Sequence, residues 1–310
     1  MQPIIELKSE LEGIIKLEVI KEDGTLKEAE GLNVSFKNLI TDAGLNSLAE
    51  GNEISYASRY CKVGTSSNTP AVSDTALGAK TGSASSSGTK TSSVQYSTTP
   101  YYSQHQTVYT FAVGAVSGNL TEIGFFSADT GGIMWSRALI KDSGGNPTTL
   151  TLLATEQLKV TYIVRRYIPT SLTGSFTLNT NGTYSTINYT ITPAFINFSG
   201  KWNDGFTCVG TNTTTIYAYE TQTLGGITSP PSGTPSSNNS CVISPYIVNS
   251  FQREYTYTIA TSEFVFSTGV GSLTFCKSLY QCSFTPKIPK TSSQTLSIGI
   301  VLSWGRTAQQ

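Results

Sequence analysis

Charged side chains are scarce in this chain. They make up 13% of its 310 residues, about half of the ~25% that is typical of soluble domains. Lys plus Arg and Asp plus Glu both number 20, so the formal net charge is zero. Proteins that bind nucleic acid need an excess of Lys and Arg to neutralise phosphates. The composition therefore argues against a nucleic-acid partner.

Histidine, and with it much catalytic and metal chemistry, is almost missing. His105 is the single histidine, and no Gly-x-Ser-x-Gly elbow of the serine hydrolases lies near it. We interpret it as a surface or loop imidazole. With one histidine, a zinc site would need almost only thiolate ligands. The sequence thus predicts no catalytic residue, no metal site and no cofactor, and a protein that is not an enzyme.

The five cysteines form no Cys-x-x-Cys pair, so they lack a metal or redox pattern. The N-terminal residues MQPIIELKSELEG contain no basic and apolar leader, so we expect no secretory signal and therefore reduced, buried thiols. A bond between Cys276 and Cys282 is the alternative. No apolar run approaches the ~18 residues of a spanning helix, which predicts no membrane insertion. The cysteines are Cys61, Cys208, Cys241, Cys276 and Cys282.

Serine and threonine dominate instead, with 85 residues together, and 16 Tyr and 13 Phe supply much of the apolar surface. Apolar and polar residues alternate in short runs such as Thr107–Val113 and Leu158–Val164, a pattern typical of half-buried strands. The strand-rich order predicts a mainly β fold of antiparallel sandwiches. One short helix is expected near residues 38–50, with Asn38 or Thr41 as its N-cap.

The distribution of charge suggests two domains. Residues 1–168 contain 14 basic and 16 acidic side chains, whereas residues 169–310 contain 6 and 4. A boundary near Pro169 fits this change. We predict two tandem β-sandwich domains, 1–168 and 169–310. The Ser/Thr-rich stretch 81–99 is expected to be an exposed loop or a wide edge strand, and residues 225–240, which include Pro230-Pro231, a second loop.

The second half repeats four short strings of the first half in the same order. Each match alone is weak, but the shared order favours a divergent copy of one domain; the alternative is two unrelated β domains of similar composition. The matches are Cys61–Thr65 with Cys208–Thr211, Gln106–Phe111 with Gln252–Tyr257, Gly118–Glu122 with Gly271–Phe275, and Leu158–Val164 with Leu296–Leu302.

Aromatic side chains are the candidates for recognition in the charge-poor half. An aromatic ring can stack on a sugar face while nearby polar groups bond its hydroxyls. The competing interpretation is that these rings belong to the core or to a subunit interface. The receptor-contact candidates are Trp202, Asp204, Tyr217, Tyr219 and Tyr246.

The carboxylates of the second half could in principle supply the acid pair of a glycosidase. No spacing marks such a pair, and solvated or strand-face positions explain these residues equally well. They are Asp204, Glu220, Glu254 and Glu263.

Six blocks of the first half form a recognisable series: Asn38–Asn46, Val63–Leu77, Gly118–Gly124, Trp135–Asp142, Asn146–Leu150 and Leu158–Val164. These blocks resemble tail fibre and baseplate-associated proteins of tailed bacteriophages. The resemblance covers about residues 30–168 and includes the order and spacing of the blocks. It implies a structural role in the virion, assembly as an oligomer, and adhesion to the host surface.

Three functions compete at this point. The first is a tail fibre or baseplate component whose first domain docks to the virion and whose second domain is a spacer or contacts a host polysaccharide or protein receptor. The second is a purely structural tail or head decoration protein without receptor contact. The third is a polysaccharide depolymerase, which no catalytic pattern supports. The resemblance further implies other phage tail proteins as partners, a homo-oligomer, expected to be a trimer, and location in the virion after assembly in the host cytoplasm.

Overall fold

A computed structural model describes residues 4–28, 35–49, 57–180, 182–194, 215–275 and 280–308, without the side chains of residues 87–89. The expected mainly β fold with one short helix is confirmed. In the first half the elements are β1 (Ile4–Ile20), β2 (Ser35–Ile40), α1 (Asp42–Ala49), β3 (Tyr60–Gly64), β4 (Lys80–Gln95), β5 (Tyr102–Thr110), β6 (Gly118–Leu120), β7 (Glu122–Phe126), β8 (Met134–Leu139), β9 (Leu150–Leu152) and β10 (Gln157–Tyr167).

In the second half every described element is a strand. These strands are β11 (Leu172–Thr180), β12 (Thr183–Pro193), β13 (Ile216–Tyr219), β14 (Ser236–Asn238), β15 (Cys241–Ile243), β16 (Gln252–Ile259), β17 (Val270–Phe275), β18 (Tyr280–Ile288) and β19 (Leu296–Arg306).

The first half closes into an eight-stranded barrel in the order β1-β2-β8-β7-β3-β4-β5-β10. Closure comes from antiparallel pairing of Glu10–Ile20 with Gln157–Tyr167. A sandwich for this half is therefore not confirmed, because a sandwich keeps open sheet edges that this pairing removes. Alternate residues of β1 and β10, including Ile15 and Val160, face the barrel core, as their alternating sequence predicts.

Strand β1 also belongs to the second half. Its first residues, Ile4–Leu11, pair in parallel with Gly299–Arg306 of β19, and Ile5 and Leu7 lie in the second hydrophobic core. Strands β16 and β15 continue this sheet beyond β19, and the other sheet has the order β11-β12-β18-β17-β13-β14. The division at residue 168 stays a prediction, with β1 contributing to both cores.

The two halves share one strand order. In the first half the strands neighbour one another in the order β1-β2-β8-β7-β3-β4-β5-β10. The second half has the corresponding order in two sheets, β11-β12-β18-β17-β13-β14 and β15-β16-β19, with β14 and β15 in the place of β4. If Val160 corresponds to Ile298, the ladders place Tyr109 with Tyr257. That register differs by two residues from the match of Gln106 with Gln252. The match that involves Cys208 lies outside the described residues.

The short helix is confirmed over Asp42–Ala49. Thr41 is its N-cap, since its Oγ1 accepts a hydrogen bond from the Gly44 amide at 3.0 Å. A side chain at Gly44 would collide with the backbone of Trp135, so glycine allows the helix to pack directly on β8. On the other side Trp304 donates from Nε1 to the Leu45 carbonyl at 2.9 Å. The helix thereby contacts strands of both halves.

The expectation for the Ser/Thr-rich stretch 81–99 is confirmed in its strand alternative. Residues 80–95 form β4, in which residues 80–85 pair with β3 and residues 86–95 pair with β5. The expectation for the histidine is wrong. His105 is buried on β5 rather than placed on the surface, since it falls on the inward phase of the strand beside Thr107. Burial lowers its pKa from 6.5 to about 4.

The cysteines that the structure describes are free thiols: Cys61 and Cys282 are buried, and Cys241 is half-buried. Cys208 and Cys276 lie outside the described residues. Within the described ranges, no helix is long and apolar enough to cross a membrane.

Candidate functional site

A loop of residues 65–79, called here the first-half loop, connects β3 to β4 and contains most of the block Val63–Leu77. Glu122 lies beneath it with 0% exposure. Its Oε1 accepts hydrogen bonds from the amides of Ala79 at 2.8 Å and Ser66 at 3.3 Å, and its Oε2 accepts one from Gly78 at 3.1 Å. The carboxylate therefore holds both ends of the loop against β7.

Arg137 completes this network from the neighbouring strand β8. Its Nε and Nη2 donate to Glu122 Oε2 at 3.0 and 2.8 Å, and its Nη1 donates to Asp74 Oδ2 at 2.7 Å. Nη2 also reaches the Asn68 carbonyl at 3.1 Å. The guanidinium is 3% exposed. A buried charge of this kind is tolerated because opposite charge and hydrogen bonds surround it.

Glycine at position 64 makes room for the network. A Cβ there would clash with the Ala79 carbonyl oxygen and lie 2.5 Å from Glu122 Oε1. A larger residue would push the loop away from the carboxylate. Packing against the loop and the carboxylate thus explains the glycine in the sequence Val-Gly-Thr at the start of the loop.

A second buried polar network lies inside the barrel. The Tyr162 hydroxyl accepts hydrogen bonds from Trp135 Nε1 at 2.8 Å and from Asn38 Nδ2 at 3.1 Å, and it lies 3.1 Å from Ser136 Oγ. Gly13 leaves the space that the Asn38 amide fills. Burial raises the pKa of Tyr162 to about 12, so the hydroxyl stays protonated. The network ties β2, β8 and β10 together.

The equivalent connection of the second half, residues 220–235, is called here the second-half loop; it joins β13 to β14. Gln281 lies at its base, opposite Thr274 in the ladder, as Arg137 lies opposite Gly124 in the first half. The Gln281 amide accepts from the Gly225 N–H at 2.9 Å and donates to the Gly225 carbonyl at 2.9 Å. A neutral side chain therefore holds the loop here, whereas a buried cation holds the loop in the first half.

A groove of about 870 Å³ opens beside the second-half loop. Glu220 lines it, with Oε1 accepting hydrogen bonds from Ser267 Oγ at 2.5 Å and from the amide and hydroxyl of Thr268 at 2.8 and 2.9 Å. These hydrogen bonds lower the pKa of Glu220, so it is ionised at neutral pH. Lys287 and Phe266 complete the charged and aromatic part of the lining.

The receptor-contact candidates do not converge in the structure. Trp202 and Asp204 lie outside the described residues. Tyr217 is half-buried on β13, and Tyr219 on the same strand is 5% exposed. Receptor contact through these residues stays a prediction.

Tyr246 lies at the junction between the halves. Its hydroxyl donates to Asn46 Oδ1 at 2.6 Å, and its ring stacks on Trp304 with centroids 5.9 Å apart. This geometry is that of an interface residue within the chain.

Sequence reasoning missed most of the groove. Glu220 was considered only as half of a carboxylate pair, and Lys287, Phe266 and Thr268 carried no signal, because they come from strands or turns far from the loop in the chain. The one available signal was the low-complexity stretch 225–240, which marks an exposed loop. Among the described residues, no cluster of three or more His, Cys, Asp or Glu side chains could hold a metal ion.

Comparisons of the chain with protein-family models, with curated proteins and with solved structures gave no match.

Proposed function

We propose that this chain is a structural protein of a phage tail, either a tail fibre or a baseplate component, located in the virion. The observation that carries the proposal is where the resembling blocks meet. Asn38, Asp74, Glu122, Arg137 and Tyr162 come from five separate blocks and meet in the two buried networks. The resemblance therefore concerns residues that determine how the barrel and its loop are built, and not composition alone.

We assign a different role to each half from the way its loop is held. The first-half loop is fixed by buried charge, which suits a surface that must fit a partner in the virion without rearrangement. We assign virion docking to the barrel. The second half, with its open groove, is assigned the contact with the host surface.

We also infer that the second half is a divergent copy of the first, built as two packed sheets instead of a closed barrel. The shared strand order and the matching ladder positions of Arg137 and Gln281 support this. The parallel pairing of residues 4–11 with β19 takes the place of the antiparallel closure of the first half. The halves thus differ mainly in the pairing of their last strand, which is antiparallel to β1 for β10 and parallel to β1 for β19.

The test is a reconstruction of the whole virion combined with an adsorption assay. We expect density for this chain in the tail and inhibition of phage adsorption by the purified full-length protein. The full chain is needed because a fragment starting at residue 169 would lack Ile5 and Leu7 of the second core. Density in the tail without any inhibition would favour the decoration protein, and release of sugars from host envelopes would favour the depolymerase.

Assembly as a trimer is part of the proposal. Light scattering on the purified chain should give about three times the 33.2 kDa of one copy. A monomer at micromolar concentration would contradict it.

A further inference from the structure

The groove beside the second-half loop has the side chains of a sugar-binding site. Its volume of about 870 Å³ falls within the ~300–1,000 Å³ of small-molecule sites. We propose that it binds a neutral sugar residue of a bacterial surface polysaccharide, with Glu220, Lys287 and Phe266 as the recognition residues. The inference rests on the proposed function and gives the host contact a place and a ligand class.

Glu220 is oriented for a hydroxyl-bearing ligand. Its Oε1 is occupied by three hydrogen bonds from Ser267 and Thr268. In the described part of the chain no protein donor reaches Oε2. An ionised carboxylate held in this way accepts hydrogen bonds from ligand hydroxyls in a fixed direction and with charge assistance. Fixing the carboxylate in advance also reduces the entropy that binding would cost.

Lys287 balances the charge of the carboxylate. Its Nζ donates to Thr268 Oγ1 at 2.5 Å, and that hydroxyl donates to Glu220 Oε1. One hydroxyl therefore links the two opposite charges, and the ammonium keeps two further protons for acceptors. A groove with one anion and one cation has no net charge, so it favours a neutral sugar over an acidic one.

Phe266 supplies the apolar part of the site. Its half-buried ring lines the groove, and an aromatic face packs against the C–H face of a pyranose ring. The lining also includes Ser232, Thr234 and Ser236, whose hydroxyls can both donate and accept. An aromatic ring together with several hydroxyls matches the two kinds of surface that a sugar presents.

In the first half the equivalent connection is held by buried charge. There, Glu122 and Arg137 hold the loop tightly against the sheet. In the second half the carboxylate of Glu220 instead lies at the groove, and neutral side chains hold the loop. Gln281 bonds the Gly225 backbone. Ser272 donates to the Thr221 carbonyl, and Gln222 donates to the Phe284 carbonyl.

Saturation-transfer NMR on the full-length protein tests the proposal. The probes are the methyl glycosides of D-glucose, D-galactose, N-acetyl-D-glucosamine and L-rhamnose. We expect transfer to the ring protons of at least one glycoside, and an affinity at least about tenfold lower in Glu220→Gln and Phe266→Ala. Matched controls outside the groove, Glu254→Gln and Tyr184→Ala, should bind like the wild type.

Two results would overturn the proposal: no transfer to any of the four glycosides, or transfer that both groove variants retain in full. If Phe266→Ala does not fold, Glu220→Gln decides alone, since its side chain is not needed for the core. The adsorption assay separates this inference from the proposed function. Groove variants that inhibit adsorption as well as the wild type would refute the groove while leaving the tail protein intact.

Discussion

The two loops occupy the same place in the strand order, but they are held by different chemistry. Arg137 in the first half bridges Glu122 and Asp74, whereas Gln281 in the second half bonds the backbone of Gly225. A buried cation requires buried anions near it, and these fill the space between loop and sheet. A neutral amide makes no such demand. The same ladder position thus holds the loop by buried charge in the first half and by a neutral amide in the second.

The largest expected effect comes from removing the charge that balances Arg137. Glu122→Gln would leave a guanidinium buried beside a neutral amide. We expect a loss of about 3 kcal/mol or more in the free energy of unfolding, measured by urea denaturation. Glu254→Gln, an equal change on β16, is the control and should stay within about 0.5 kcal/mol. Similar midpoints for the two variants would mean that the network does not hold the first half.

The next effect is a pH response confined to the first half. The pKa of His105 is lowered to about 4 in the folded chain from 6.5, so between these values the unfolded chain binds more protons. Stability therefore rises with pH across this window and falls on acidification from pH 6.5 to 4, by up to about 3 kcal/mol.

His105→Gln isolates this contribution. Carboxyl groups with lowered pKa values, such as Glu12 and Glu18, also reduce stability in acid, and they remain in the variant. We expect urea midpoints of the variant to fall less steeply between pH 6.5 and 4.5 than those of the wild type. Equal slopes would show that the pKa of His105 is the same in the folded and the unfolded chain.

A smaller effect is expected for the neutral anchor. Gln281→Ala leaves the partly buried amide of Gly225 without its acceptor, which should cost about 1–3 kcal/mol. Amide hydrogen exchange should locate the loss to residues 220–235. A change spread evenly over both halves would contradict the idea that each loop has its own anchor.

The smallest effect completes the comparison. Glu220→Gln is the same substitution as Glu122→Gln, but the side chain lies in the open groove and leaves no buried charge unpaired, so the denaturation midpoint should fall much less. A clear loss of stability would mean that Glu220 supports the fold rather than a ligand.

Local features were accessible from the sequence. The alternation of Leu158, Val160 and Tyr162 predicted the inward face of β10, and Thr41 was one of two predicted caps. Barrel closure was not accessible, because it depends on pairing between β1 and β10, far apart in the chain. The duplication stays a proposal. The match of Gln106 with Gln252 is off by two residues in the strand ladders if Val160 corresponds to Ile298, and a strand pattern of period two does not reveal such an even shift.

The site was harder to predict than the fold. Glu122 and Arg137 were both in blocks that carried the resemblance, yet nothing in their spacing indicated that they form a pair. Gln281, Phe266 and Lys287 stood in no recognised pattern. These side chains are far apart in the sequence and are brought together only by the strand order of the folded chain, so local sequence patterns do not reveal their contacts.

Strand β1 has a consequence for biosynthesis. The barrel can close as soon as β10 has left the ribosome, but the second core needs Ile4–Leu11 beside Gly299–Arg306, so β1 and β19 pair only after the strands between them have been made. Contacts of such long range form slowly. Until β19 emerges, the segment Ile4–Leu11 has no partner strand, and we expect such nascent chains to depend on chaperones for solubility.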